Sequence, residues 1–330
     1  MKASGIGGQA VLEGIMMKNN DKYAVAVRKP DKEIEISVKE YKGITKGNKI
    51  LNLPFIRGVF NFVDSLILGM SSLMFSAQFF DEEEEEEKDK ASGKEKKPEE
   101  KDLEFKDKTE DVIMVITVIF SALMAVGLFV ILPTFASHFL KVKLGIKSTS
   151  LVSLIEGLIR IALFIIYIFL ISRMKDIQRT FMYHGAEHKC INCIEHGMEL
   201  NVENVMKSSR LHKRCGTSFL FLVMAISVIM FILIPTKTIA MKIVVRIIMI
   251  PVIAGVSYEV LRFAGRHEGK LVDIVSAPGM ALQKMTTSEP DEEMAEVAIK
   301  AVEAVFDWKA FLEENEFLRS VEFLGEGYVW

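Results

Sequence analysis

Four apolar runs constrain this chain more than anything else in it: Val112–Leu140, Leu151–Ser172, Thr217–Ile234 and Ile239–Leu261. Each is close to or above the roughly 18 to 20 residues that a helix needs to cross about 30 Å of hydrocarbon. Half of the 330 residues are hydrophobic and mean hydropathy is +0.27, yet 26% are charged. The two classes must therefore be segregated along the sequence, as in a membrane protein with water-exposed parts. The expectation is a mainly α membrane protein with about four transmembrane helices, paired as residues 112–172 and 217–262.

The segments outside the spans read differently. Within residues 1–50, Gly5, Gly7, Gly8 and Gly14 punctuate the run Ser4–Lys18. Glycine there permits close backbone approach, but the lysine of a phosphate loop and the spacing of a dinucleotide loop are both missing. The run reads as a short, tightly packed strand with Glu13 in solvent, or as a route by which Gln9 or Glu13 reaches a site elsewhere. Ile34, Ile36 and Val38 then alternate with polar residues, and Lys29-Pro30-Asp31-Lys32 separates them from Tyr23–Arg28, which predicts a β-hairpin. Residues 51–80 are apolar but broken by Arg57, Asn61 and Asp64, so an interfacial or re-entrant helix is expected. Residues 81–111 carry too little apolar surface to offset ordering entropy and read as a disordered charged linker. In residues 263–330, Ser288-Glu289-Pro290 predicts the start of a helix, with Pro290 at its first position. Met294, Val297, Ala298, Ala301, Val302 and Val305 form its apolar face, making it an amphipathic helix docked on the water-exposed part.

Residues 173–216 hold the chemistry. All three cysteines, Cys190, Cys193 and Cys215, and four of the six histidines, His184, His188, His196 and His212, fall there. In a helix, His184 and His188 lie at i and i+4 on one face, where two imidazoles can share an ion. Glu187 between them completes H-x-x-E-H, the inverted form of the zinc motif whose glutamate serves as general base. Seven candidate ligands exceed one tetrahedral shell, and His196 reads as a surface residue.

Eight Lys and Arg residues lie between Arg173 and Arg214, against three in the loop after the first span and two around the start of the fourth. The positive-inside rule places the His/Cys segment in the cytoplasm. Three clustered cysteines fit a reducing compartment and a metal better than a disulfide framework. A net charge of −3 with interspersed signs gives no case for nucleic acid, and Met1–Asn20 has no long apolar core of a signal peptide. Within the spans, Glu156 and Arg160 can neutralise each other, Arg246 and Glu259 bracket Pro251, and Glu259 and Arg262 can sit at the interface. Alternatively these residues line a polar route from the bilayer to the site.

Several motifs together resemble the YqhQ family of bacterial inner-membrane proteins of unknown function, often described as predicted metal-dependent enzymes. They are Gly7-Gly8-Gln9-Ala10-Val11-Leu12-Glu13-Gly14, Tyr183–Lys189, His212–Phe219, and Thr286-Thr287 with Glu289-Pro290. The resemblance implies a multi-pass protein of the bacterial cytoplasmic membrane, with the lipid bilayer as its partner and a suspected metal site. In the family pattern a threonine commonly follows the His-Lys pair where this chain has Cys190, and the place of Cys193 varies. The metal ligands so left are His184, His188, His212 and Cys215, and the H-x-x-E-H spacing adds the expectation of zinc as the metal and of Glu187 as the catalytic residue of a hydrolase. The contrasting expectation is a non-enzymatic membrane assembly or scaffold factor whose zinc is structural. Metal transport is a weaker third reading, since the spans offer only Glu156, Glu259 and His138 as ligands.

Overall fold

The computed structural model describes residues 3–92, 108–234, 236, 238–265, 267 and 269–315, with side chains described outside 81–115. The chain divides into two compact units. One comprises Met1–Glu84, Phe169–Phe221 and Gly255–Trp330, the other Glu85–Ile168 and Leu222–Ala254.

The first unit opens with a four-stranded antiparallel meander, β1 (Gly7–Val11), β2 (Gly14–Asn19), β3 (Lys22–Arg28) and β4 (Ile34–Glu40), paired in sequence order. The hairpin expected from the period-two pattern is β3–β4. The glycine-punctuated run is a second hairpin, turning at Leu12-Glu13 with Glu13 at φ 47°. Alternation sends side chains to two cores. Ile15, Met17 and Ala26 pack with helix α5 (Lys175–Glu195) and helix α10 (Glu292–Glu303), whereas Met16, Val25 and Val27 pack with helix α1 (Ile56–Ser92) through Leu68 and Phe75.

Helix α10 presents the expected apolar face, with Met294, Val297, Ala298, Ala301 and Val302 all buried. Its start differs from expectation: Asp291 is the cap, accepting the Met294 N–H at 2.8 Å, and Pro290 lies outside the helix. An aspartate at that position satisfies a free N–H of the first turn, which proline cannot do. The unit also contains α6 (Val202–Lys207) and an amphipathic helix that the sequence reading missed, α9 (Lys270–Thr286). Pro278 and Gly279 inside α9 hide its periodicity.

Helix α2 (Lys108–Val126) opens the second set of apolar elements and continues through a π-helical turn, Gly127–Ile131, into α3 (Leu132–Lys143); α4 (Thr149–Ile171), α7 (Gly216–Leu233) and α8 (Ile239–Ala264) follow. Pro133 has no N–H to return to Phe129, and Arg160 Nε supplies the missing donor to the Phe129 carbonyl at 2.7 Å. Among the described residues five helices are long and apolar enough to cross a membrane: Ile56–Phe80, Ile116–Lys143, Thr149–Ile171, Gly216–Leu233 and Ile239–Ala264. The last four are the expected spans, and the first is the segment read as interfacial. Of the charged linker, residues 81–92 continue α1, residues 108–111 begin α2, and 93–107 lie outside the described residues. Glu259 is paired with Arg57, which donates to both of its carboxylate oxygens, at 2.7 and 2.5 Å.

Candidate metal centre

Helix α5 carries the H-x-x-E-H motif inside the core of the first unit, where the His184 and His188 rings lie one turn apart, edge to face, with centroids 4.4 Å from each other. His184 Nδ1 lies 2.9 Å from the Thr286 carbonyl and His188 Nδ1 lies 2.7 Å from the Arg210 carbonyl. A carbonyl only accepts, so each Nδ1 carries a proton, and in the neutral ring Nε2 is the nitrogen whose lone pair can bind a metal. This is the arrangement that orients metal-binding histidines.

Cys215 completes the group. One ligand atom from each of His184, His188 and Cys215 lies within 4.8 Å of the others, and His184 Nε2 is 3.2 Å from Cys215 Sγ. A tetrahedral zinc with bonds of about 2.0 Å to nitrogen and 2.3 Å to sulfur sets those two atoms about 3.5 Å apart. The residues fit the ion. Thr217 helps to hold the sulfur, its hydroxyl 3.2 Å and its N–H 3.5 Å away.

The loop that delivers Cys215 is partly buried, and its inward-facing backbone groups need partners. Lys189 donates to the Met206 and Ser208 carbonyls at 2.9 and 2.8 Å, and Asn192 to those of Ser209 and Leu211 at 2.6 and 3.0 Å. From α9, Gln283 accepts the His212 N–H at 2.9 Å and donates to the His212 carbonyl at 2.7 Å. The strap after α9 is equally tight. A Cβ on Gly185 would stand 2.0 Å from the Ser288 carbonyl oxygen, so only glycine lets α5 approach it.

Glu187 is buried beside the ligands. Its Oε1 accepts the Gly8 N–H at 3.0 Å, and its Oε2 lies 3.9 Å from His184 Nε2. The N-terminal run thus reaches the site through a backbone donor and not through Gln9 or Glu13. The Gln9 amide lies against Gly69, while Glu13 is bound by Arg179 and, at 3.3 Å, by the Tyr183 hydroxyl instead of being solvated.

The remaining candidates are placed apart from this group. His212 stands with its ring centroid 5.8 Å from that of His188, and its Nε2 is 3.4 Å from Glu195 Oε2. Glu195 also receives Arg214, and the N–H and hydroxyl of Ser4, both at 2.8 Å. Burial works to raise the Glu195 carboxyl, but the His212 bond, the Arg214 guanidinium and the Ser4 donors outweigh it and hold it at about 2. Burial pushes the Cys190 thiol well above its ordinary value, and Cys193 and Glu187 add to that. Cys193 Sγ faces the Glu199 carbonyl at 3.4 Å, and His196 is exposed. The sequence reading missed Gly8, Gln283 and Glu195. Glu195 is about two turns beyond the motif and Gly8 lies in the singled-out run, but neither position advertises its partner.

A family model described as "Protein of unknown function (DUF1385)" matches residues 53–308. The chain belongs to the DUF1385 family. It is also 32% identical over 317 residues to "Uncharacterized protein YqhQ" of Bacillus subtilis (strain 168), covering 94% of this chain and 95% of that protein. No solved structure matches. The YqhQ resemblance expected from the motifs is thereby confirmed, and the DUF1385 match spans both α5 and the Cys215 loop.

Proposed function

We propose that this protein is a metal-dependent hydrolase of the cytoplasmic membrane, with His184, His188 and Cys215 holding a divalent ion, best suited to zinc, and Glu187 acting as general base. A zinc ion so held is a Lewis acid and brings the ionisation of water to near neutral pH. The observation that carries the reading is the posture of Glu187: one oxygen is fixed by the Gly8 N–H and the other is left facing the ligand atoms. Three protein ligands leave the fourth position open, which is the signature of a catalytic site. The contrasting reading, a scaffold with a structural zinc, would need a fourth ligand. His212 is the residue expected from sequence, and its turn toward Glu195 speaks against it.

Metal analysis tests the ligand set. Purified wild-type protein is expected to hold about one ion, Cys190→Thr to keep it, and Cys215→Ser to lose most of it together with several kcal/mol of stability. Equal loss in both variants would show that Cys190 is a ligand.

Parity supports placing the sheet and α5 on a common side of the membrane. Gly8 bonds to Glu187 and Ser4 to Glu195, so the sheet and α5 share one side, and an even number of crossings separates them. Three candidate spans lie in that interval, so one of them does not cross. Helix α1 is the one that stays, because it is fastened to the sheet side from Asp64, which accepts from the Tyr41 hydroxyl at 2.9 Å, to Ser76, which accepts the Leu12 N–H at 3.1 Å. Its other face exposes Phe62, Val63, Leu66, Ile67, Met70 and Leu73, as a helix lying in the bilayer surface would. With the basic His/Cys segment inside, a membrane-impermeant thiol reagent should label Lys147→Cys in intact cells and His196→Cys only after permeabilisation. The reverse pattern would invert the topology.

A further inference from the structure

Helix α9 of the first unit carries an apolar face that none of the described residues covers. Leu271, Ile274, Val275, Pro278 and Ala281 recur at helical spacing and all are exposed, Leu271 at 80% and Ile274 at 68%. The side it buries against the protein is a different one, formed by Val272, Ser276, Gly279 and Gln283. Asp273 and Lys284, about three turns apart, take a third side, where Asp273 is paired with Lys213 at 2.9 Å. One side on protein, one open apolar side and one charged side suit a helix that lies where protein, hydrocarbon and water meet.

The neighbours of α9 fix what its open side meets. It starts five residues after the end of α8, whose last turn already exposes Phe263 at 56%. Its middle lies against the first turn of α7: a Cβ on Gly279 would stand 2.6 Å from Ser218 Oγ and 3.0 Å from Ser218 Cα, and Gln283 donates to the Ser218 hydroxyl at 2.9 Å. Helix α7 has 18 residues, about 27 Å of helix against about 30 Å of hydrocarbon, so a crossing α7 keeps its first turn at the hydrocarbon margin. A helix packed on that turn lies at the same depth. We propose that α9 is seated in the lipid surface by its Leu271–Ala281 face and anchors the metal-binding loop there. The anchoring runs through its opposite side, where Gln283 accepts the His212 N–H at 2.9 Å and donates to the His212 carbonyl at 2.7 Å. At its end the Thr286 carbonyl, 2.9 Å from His184 Nδ1, orients that ring. The seat stands on the apolar spans alone, whereas the anchoring rests on the ligand set proposed above.

The test uses the full chain in phosphatidylcholine nanodiscs. Benzoylphenylalanine, a photo-crosslinking residue, is placed at position 274 and, as a control on the charged side, at position 284, and the adducts are identified by mass spectrometry. Lipid adducts at position 274 are expected several-fold above those at position 284. Crosslinks from position 274 to a second copy of the chain or to another part of the same chain, or lipid adducts no more frequent than at 284, overturn the seat. The anchoring is read from the rate at which a chelator removes zinc. The double variant Leu271→Glu with Ile274→Glu is expected to release it several-fold faster than wild type, and Ile274→Phe, which keeps the face apolar, at the wild-type rate. Both side chains are mostly exposed, so the new charges disturb no protein core. Equal rates in the double variant and wild type overturn the anchoring. A wild-type protein that holds no zinc fails the metal reading instead, and the crosslinks still decide the seat.

Discussion

Glu187→Gln is expected to leave metal content and membrane yield at wild-type levels while activity falls about 10²- to 10⁴-fold, the usual contribution of a general base. The geometry makes this a clean substitution. The amide oxygen of glutamine can still accept the Gly8 N–H that now reaches Oε1 at 3.0 Å, so the side chain keeps its place. Its nitrogen then takes the position of Oε2, 3.9 Å from His184 Nε2, where it cannot receive a proton. Before a substrate is known, the readout is rescue of a deletion strain of the same organism, beside measured metal content. Loss of rescue with full metal supports catalysis. Complete rescue by a variant carrying full metal would sink the hydrolase reading and leave a structural zinc in its place, because a carboxylate that only orients a histidine is dispensable at adequate zinc.

Gly185→Ala is expected to destabilise the first unit by about 3 kcal/mol or more, the upper range for forcing an atom into packed surroundings. The new methyl carbon would stand 2.0 Å from the Ser288 carbonyl oxygen, and the obstacle is backbone, so no rotamer change relieves it. The strap must move, and the Thr286 carbonyl that fixes His184 Nδ1 moves with it. Metal content should therefore fall alongside the melting temperature, although position 185 touches no ligand atom. Gly7→Ala is the control: a Cβ there meets nothing within 4 Å, so the change should stay within about 0.5 kcal/mol. Equal losses in both variants would point to general helix or strand propensity instead of the close approach.

Local periodicity was enough to reveal a good part of this molecule. The four long spans needed only length and apolarity, since a helix satisfies its own backbone and no partner has to be known. The β3–β4 hairpin needed only alternation and a turn. His184, Glu187 and His188 were legible because 3.6 residues per turn brings i and i+4 together whatever else the chain does. Helix α9 was lost where Pro278 and Gly279 interrupt its pattern.

What tertiary structure alone decided is how distant residues complete the site. His212 and Cys215 look equivalent in sequence, three residues apart in one loop, yet Cys215 Sγ comes 3.2 Å from His184 Nε2 while His212 turns to Glu195. Gln283, Lys189 and Asn192 make that choice by capturing the backbone of the loop from two helices, and such captures arise from packing, not from spacing. The same holds for Glu187: the motif supplies the carboxylate, but only the fold brings the Gly8 N–H from the first strand to aim it. A sequence states which side chains can bind an ion, and the burial of a loop's polar backbone determines which of them face it.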